Sequence, residues 1–273
     1  MTIESDVLDF VGLSPEAELN ANSEASGSAL GPDVDLIGGD LYRMIADLQA
    51  DVRERDATIS LLARVQQEAL MRLALAAEFK DGDTGTHIVR IGAYAALLAR
   101  ECGMDREYCR KIAFAAPMHD VGKIGVPDII LRKPAVLTED ERRIMKKHCE
   151  IGRRILAGSG VPLLELAAEV AFTHHEKFDG TGYPSNLAGE SIPLSGRLVA
   201  LVDVFDALTM KRPFREAMTV EEAVKIVRAE SGTHFDPFLV DSFLAVLDQM
   251  LDLREKVNEA KIDLTGLSEL IAA

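Results

Sequence analysis

Five of the six histidines in this chain fall on or beside the apolar side of a helical repeat, and no other feature limits the possible folds as sharply. From about Thr86 to Arg100, His87 lies in line with Ile91, Tyr94 and Leu98. Between residues 138 and 157, Thr138 and Glu141 form a capping-box pattern, and Ile144, His148, Ile151 and Ile155 then share one face. The run "LLELAAEVAFTHHEKF" carries helical periodicity into a glycine-rich turn, with His174 one turn below Val170 and His175 below Ala171. In "VALVDVFDALTM", Asp203 and Asp206 share a face with Val199 and Met210 in a helix that is apolar almost all round, so Asp203 is expected to be buried. Burying an ionisable group costs several kcal/mol unless something pairs with it. These side chains must therefore pair with one another or with a cation.

A single buried histidine is ordinarily a hydrogen-bonded core residue. Here His87, His119 with Asp120, His148, His174 with His175, and Asp203 occupy five predicted helices or helix ends. Imidazole plus carboxylate is the donor mix of first-row transition metals such as iron, manganese, cobalt or zinc. Neighbouring residues on a helix diverge by about 100°, so His119 and Asp120 can reach two sides of one cluster or bridge two ions. Seven donors exceed the three or four that one ion takes when a water position stays open, which points to two metals. A water held between two cations becomes a nucleophile at neutral pH while the ions clamp a phosphoryl oxygen. That chemistry is phosphodiester hydrolysis.

The formal charge of −15 argues against a polymeric nucleic acid as partner, because phosphate binding needs clustered Lys and Arg. Nine of the acids lie in residues 1–40, which hold no Lys or Arg, so the remainder carries only −6. The same lack of early positive charge, and the absence of any apolar run of membrane-spanning length, lead to the expectation of a cytoplasmic location without membrane attachment. Cys102, Cys109 and Cys149 are odd in number and form no C-x-x-C pair, as suits reduced packing thiols.

Residues 1–38 read as an acidic, disordered tail, with a short apolar segment around Val7 to Leu13. Residues 39–77 read as a long helix, a linker or dimerisation element. Along it Leu41, Ile45, Leu48, Val52, Ile59 and Leu62 fall at alternating three- and four-residue steps, with Arg55 interrupting. Such a seam suits a helix lying on its own domain as well as it suits a homodimer. Residues 78–258 form the folded domain that carries the site, and residues 259–273 a tail. No strand pattern competes, although "GTGYP" and "AGESIP" could hold short extended pieces. The expected architecture is all-α, a helical bundle preceded by a long N-terminal helix.

The blocks "HDVGKIGVPDIILRKPAVLTEDERRIMKKHCEIG", "HHEKFDGTGYP", "IPLSGRLVALVDVFDALTMKRPFR" and "FDP" at 235–237, in that order, closely resemble the HD-GYP branch of the HD-domain metal hydrolases. The resemblance runs from about residue 78 to about residue 250. It implies an HD-type helical bundle that hydrolyses cyclic di-GMP to the linear dinucleotide pGpG, and in many members onward to GMP. It further implies two transition-metal ions, iron or manganese, and diguanylate cyclase (GGDEF) proteins as signalling partners.

Carried over residue by residue, the resemblance makes His87, His119, Asp120, His148, His174, His175 and Asp203 the metal ligands. Asp120, Lys123 and Asp206 become the catalytic residues, with Lys123 one turn after His119 and in reach of a phosphate beside the metals. Tyr183, Arg212 and Arg215 join Lys123 as substrate contacts. Arginine grips phosphate oxygens in pairs, and Tyr183 would be presented by the glycine-rich turn to stack on guanine or hydrogen bond, unless it merely packs. Gly180 and Gly182 are expected to adopt backbone angles closed to other residues, with Pro184 fixing the loop. Asp206 resembles a position that orients the phosphate-binding side chains or the attacking water; Glu176 and Asp179 take supporting roles, and Asp236 caps the helix after it. Some family members carry glutamate four residues before the first histidine and hold three metals with it, where this chain has Asp83. The shorter side chain favours two metals, with Asp83 a candidate for a third, for a water-mediated contact, or for a helix cap. Other readings keep the chemistry on a different dinucleotide such as cyclic GMP-AMP, or make the domain a weakly active module that senses the dinucleotide and docks a partner.

Overall fold

The computed structural model describes residues 32–81, 85–210 and 216–260. Asp83, Arg212 and Arg215, and most of the expected tails, lie outside them. Among the described residues helices are the only regular elements, with one isolated bridge between Ser231 and Phe235 and no strand. No helix among them is long and apolar enough to cross a membrane.

The chain divides into two units, residues 1–59 and 60–273. Helix α1, Pro32–Asp81, contributes to both. In the first unit its seam residues are exposed, Leu41 at 50%, Leu48 at 58% and Ile59 at 57%. In the second, Leu70, Met71, Ala74 and Ala77 belong to the hydrophobic core. The last turns of α1 thus join the core through their apolar side.

The bundle continues with α2 (Thr86–Glu101), α3 (Arg106–Ala115), a short α4 (Asp128–Leu131), α5 (Glu139–Lys146), α6 (His148–Leu156), α7 (Pro162–Thr173), α8 (Leu194–Thr209), α9 (Val220–Ala229), α10 (Pro237–Ala245) and α11 (Leu247–Ala260). Starts are set by side chains that accept the free N–H groups of the first turn. Asp105 takes Tyr108 N, capping boxes Thr138/Glu141 and Thr219/Glu222 begin α5 and α9, and Asp236 takes Phe238 N. The core is centred on α2 and α8, where Phe205 packs edge-on against both Tyr94 and Phe243.

The single helix expected over 138–157 is two, broken at Lys147. At the break the Met145 carbonyl accepts from the ring of His148 at 2.7 Å. Ile144 and Ile155 lie at the surface, 36% and 44% exposed, while His148 is buried.

Between α3 and α4 the chain makes two tight 3₁₀ turns, Ala116–Met118 and Val121–Gly125, which flank His119 and Asp120. The second is held from below by the end of α1. The Lys80 ammonium donates to the carbonyls of Ile124 (2.6 Å), Val126 (2.7 Å) and Lys123 (3.2 Å), and Arg132 covers the Lys80 carbonyl from Nε and Nη2. From above it is met by α6 at Gly122, where a Cβ would lie 1.9 Å from the His148 carbonyl oxygen and 2.5 Å from Gly152 N. Only backbone fits. Gly122→Ala is expected to cost roughly 3 kcal/mol, the upper part of the overpacking range. A thermal midpoint within a degree of the parent would show that the two segments can separate freely.

Candidate metal centre

The seven expected ligands converge. Asp120, His148, His174 and His175 offer donor atoms that all lie within 4.8 Å of one another, and His87, His119 and Asp203 form a second such group. They come from α2, the turn after α3, α6, the end of α7 and α8. Asp120 joins the groups. Its Oδ1 faces His148 Nε2 (3.4 Å) and His174 Nε2 (3.8 Å), whereas Oδ2 faces His119 Nε2 at 3.3 Å. Asp203 Oδ1 lies 3.5 Å from His87 Nε2 and 3.9 Å from His119 Nε2.

Four of the five imidazoles are aimed by what the far nitrogen touches. Nδ1 of His119 meets the Ala116 carbonyl at 3.0 Å, that of His148 the Met145 carbonyl, and that of His174 the Val170 carbonyl at 3.1 Å. A carbonyl oxygen can only accept, so Nδ1 carries the proton and the Nε2 lone pair points into the cluster. His87 does the same through a carboxylate, with Nδ1 2.7 Å from Asp206 Oδ2. His175 is set by stacking: its ring lies on Tyr183, centroids 4.7 Å apart and 26° between planes.

Electrostatics separates the groups. Burial, reinforced by neighbouring imidazoles, drives His174 well below the usual range and His175 down to about 3, and burial also lowers His148. Those three rings are neutral donors at pH 7. Burial opposes charge on His119 too, but Asp120 and Asp203 outweigh it and raise the ring to about 9; His87 is raised against burial by Asp206 and Asp203. Asp120 stays ionised far below the normal carboxylate range, its burial outweighed by Lys123, His119 and His148. Among the described residues His119 Nε2 and Asp120 Oδ1 are buried without a hydrogen-bond partner, in the middle of all these donors. Unsatisfied polar atoms at such depth are costly, and a divalent cation would satisfy both. The set fits metal ions.

The other expected residues are placed as follows. Lys123, in the turn after Asp120, sets its ammonium 2.7 Å from Asp120 Oδ2. Tyr183 has His175 beneath its ring, the Lys146 ammonium 4.7 Å from its centroid, and the His148 ring edge-on at 6.5 Å. Of the two α8 carboxylates, Asp206 is the more deeply buried, with 2% of its side chain exposed against 20% for Asp203. Asp206 receives Arg90 Nε at 2.6 Å on Oδ1 and Arg90 Nη2 at 2.9 Å on Oδ2. Both Asp206 oxygens are thus engaged, Oδ1 by Arg90 and Oδ2 by Arg90 and His87. Glu176 closes the glycine-rich turn by accepting from Ser185 N (2.7 Å) and Leu187 N (3.0 Å), and Asp179 accepts from Thr181 N and Oγ1. Gly180 has a φ of 82° as expected, but Gly182 is required for space: a Cβ there would meet Lys177 N at 2.2 Å.

Arg90 went unnoticed in the sequence, although an arginine inside "HIVRIGAYAALL" was itself a signal that a buried acid must face it.

The HD domain family model matches residues 43–239. A cyclic di-GMP phosphodiesterase response regulator of Xanthomonas campestris pv. campestris is 45% identical over 188 residues, covering 69% of this chain and 50% of that protein. A cyclic di-GMP phosphodiesterase of Thermotoga maritima is 44% identical over 191 residues, 69% of this chain and 52% of its own length. A 3'3'-cGAMP-specific phosphodiesterase of Vibrio cholerae is 42% identical over 193 residues, 71% of this chain and 37% of that protein. The chain thus spans about half or less of the length of these relatives. Among solved structures, that of a cyclic GMP-AMP specific phosphodiesterase from V. cholerae shares the fold with a TM-score of 0.52 at 21% identity, covering 75% of this chain and 57% of the other.

Proposed function

This chain belongs to the HD domain family, with the HD-GYP motifs in place, and from that premise we propose that it is a metal-dependent phosphodiesterase hydrolysing cyclic di-GMP to the linear dinucleotide pGpG and onward to GMP. The observation that carries the reading is the Asp120 carboxylate, one oxygen turned to each ligand group, beside a buried His119 Nε2. The Xanthomonas and Thermotoga relatives, both named for cyclic di-GMP, support that substrate.

Two divalent ions, iron or manganese by the imidazole and carboxylate donor set, would polarise the phosphoryl oxygens and acidify water. Asp120, His148, His174 and His175 would hold one, His87, His119 and Asp203 the other, with Asp120 shared. Asp83 is a candidate ligand for a third. Lys123 stands at the rim of this centre, part-exposed, where its charge can pass from Asp120 to a phosphate and offset the negative charge that grows in the transition state. Tyr183 keeps His175 in place and offers its hydroxyl to substrate. Arg212 and Arg215 supply further phosphate contacts. The reaction would run in the cytoplasm, where GGDEF proteins make the dinucleotide and are the natural signalling partners.

Anaerobically prepared protein loaded with manganese or iron should convert cyclic di-GMP to pGpG and GMP, read by chromatography, in preference to cyclic GMP-AMP. Intact dinucleotide beside a fully metallated centre would instead make the domain a sensing module.

The exposed seam of α1 supports a homodimer. In heptad terms Ile45, Val52 and Ile59 take the a positions and Leu41, Leu48 and Leu62 the d positions, the β-branched-a, leucine-d arrangement that favours parallel two-stranded coiled coils. Arg55 falls at d between Asp51 and Asp56, acids that can neutralise it across the pair. Leu48→Glu should halve the mass found by light scattering, and a monomeric parent protein would refute the pairing.

A further inference from the structure

The His87 end of the centre depends on a connection that runs backwards into the core. Arg90 lies one turn along α2 from His87 and is 3% exposed, in a helix whose buried residues are otherwise almost all apolar. A guanidinium at that depth requires a counter-charge. Its Nε and Nη2 grip both oxygens of Asp206 on α8 at 2.6 and 2.9 Å, and Nη1 donates to Asn258 Oδ1 on α11 at 3.3 Å. The fork fixes the plane of the carboxylate. One Asp206 oxygen is thereby left in line with His87 Nδ1 at 2.7 Å, and His87 Nε2 with Asp203 at 3.5 Å. The other three ligands with a defined far contact use backbone carbonyls that cannot move far; His87 uses a side chain, which could rotate.

We propose that Arg90 is a positioning residue: acting through Asp206, it locks His87 in the Nδ1–H tautomer and aims Nε2 at the cation shared with His119 and Asp203. The proposal rests on the reading of that group as a metal site. Arg90→Lys keeps the charge but has no fork. Asp206→Asn keeps the shape but can offer an N–H to His87, favouring the opposite tautomer.

In metal-free parent protein, nitrogen NMR of the neutral His87 ring should show the proton on Nδ1, and Asp206→Asn should shift it toward Nε2. Titration of manganese against a chromophoric chelator should then show one of two binding events weakened roughly 10- to 100-fold in both variants, with the Asp120–His148–His174–His175 event little changed. Arg197→Lys, which disturbs a buried ion pair with Asp236 elsewhere, should lower the thermal midpoint yet leave both events alone. A parent His87 protonated on Nε2 overturns the proposal, whether or not a variant folds. So do two variants that bind both cations as tightly as the parent. A parent that takes up no cation refutes the metal reading instead, and the tautomer measurement still decides the role of Arg90.

Discussion

Asp120→Ala should lower turnover of cyclic di-GMP by roughly three orders of magnitude or more, the scale seen when one member of a catalytic unit is removed. The loss is larger than that of one ligand because this carboxylate serves both groups, Oδ1 toward His148 and His174 and Oδ2 toward His119. It also deprives the Lys123 ammonium of its near partner at 2.7 Å. Metal analysis should find both ions depleted in the variant. His175→Ala, which touches one group alone, should deplete that ion more than the other. An Asp120→Ala protein that keeps two ions and near-parental rate would mean that the groups do not share a carboxylate.

Removing the cations should be the second large effect, and it should reach stability as well as rate. Without them Asp120 Oδ1 is buried with no hydrogen-bond partner among the described residues, and His119 Nε2 keeps a 3.3 Å contact with Asp120 Oδ2. A cation present at a thousand times its Kd stabilises the folded state by about 4 kcal/mol, so a chelator is expected to lower the thermal midpoint by roughly 8–16 °C and abolish turnover, both restored by manganese. Acid acts in the same direction. His119, raised to about 9 by Asp120 and Asp203 against its burial, already holds a proton at pH 7 that a cation must displace. Affinity at the His87–His119–Asp203 group should therefore climb with pH until about 9 and fall steadily below it. His148, His174 and His175, all lowered, release no such proton near neutrality. Calorimetry in buffers of different ionisation enthalpy reads the proton count; a pH-independent affinity between 6 and 8 would contradict this scheme.

Much of the centre was legible along the chain because helical periodicity reports which way a side chain faces. His87 in line with Ile91, Tyr94 and Leu98 had to point inward, and it is buried. The same reasoning was weaker where local geometry departs from a continuous helix. The helix breaks at Lys147, with no proline or glycine beside the break, and Ile144 and Ile155, which periodicity puts on the face of His148, lie at the surface while His148 is buried. The α8 carboxylates show a further gap. Both were assigned to one inward face, but the residue one turn closer to the C-terminus, Asp206, sits against α2 while Asp203 opens toward the cluster.

Residue chemistry and its spacing were enough to establish that this chain must be helical, that these imidazoles and acids face inward, and that they must pair with one another or with a cation. Those are consequences of solvation cost and of the angle between successive side chains, both local to each segment. The division of seven donors into two groups, the sharing of Asp120 and the brace from Arg90 through Asp206 to His87 depend on distances between helices far apart along the chain. Such distances are set by how apolar faces pack and by close approaches such as Gly122 on α6, and no periodicity within a single segment contains them.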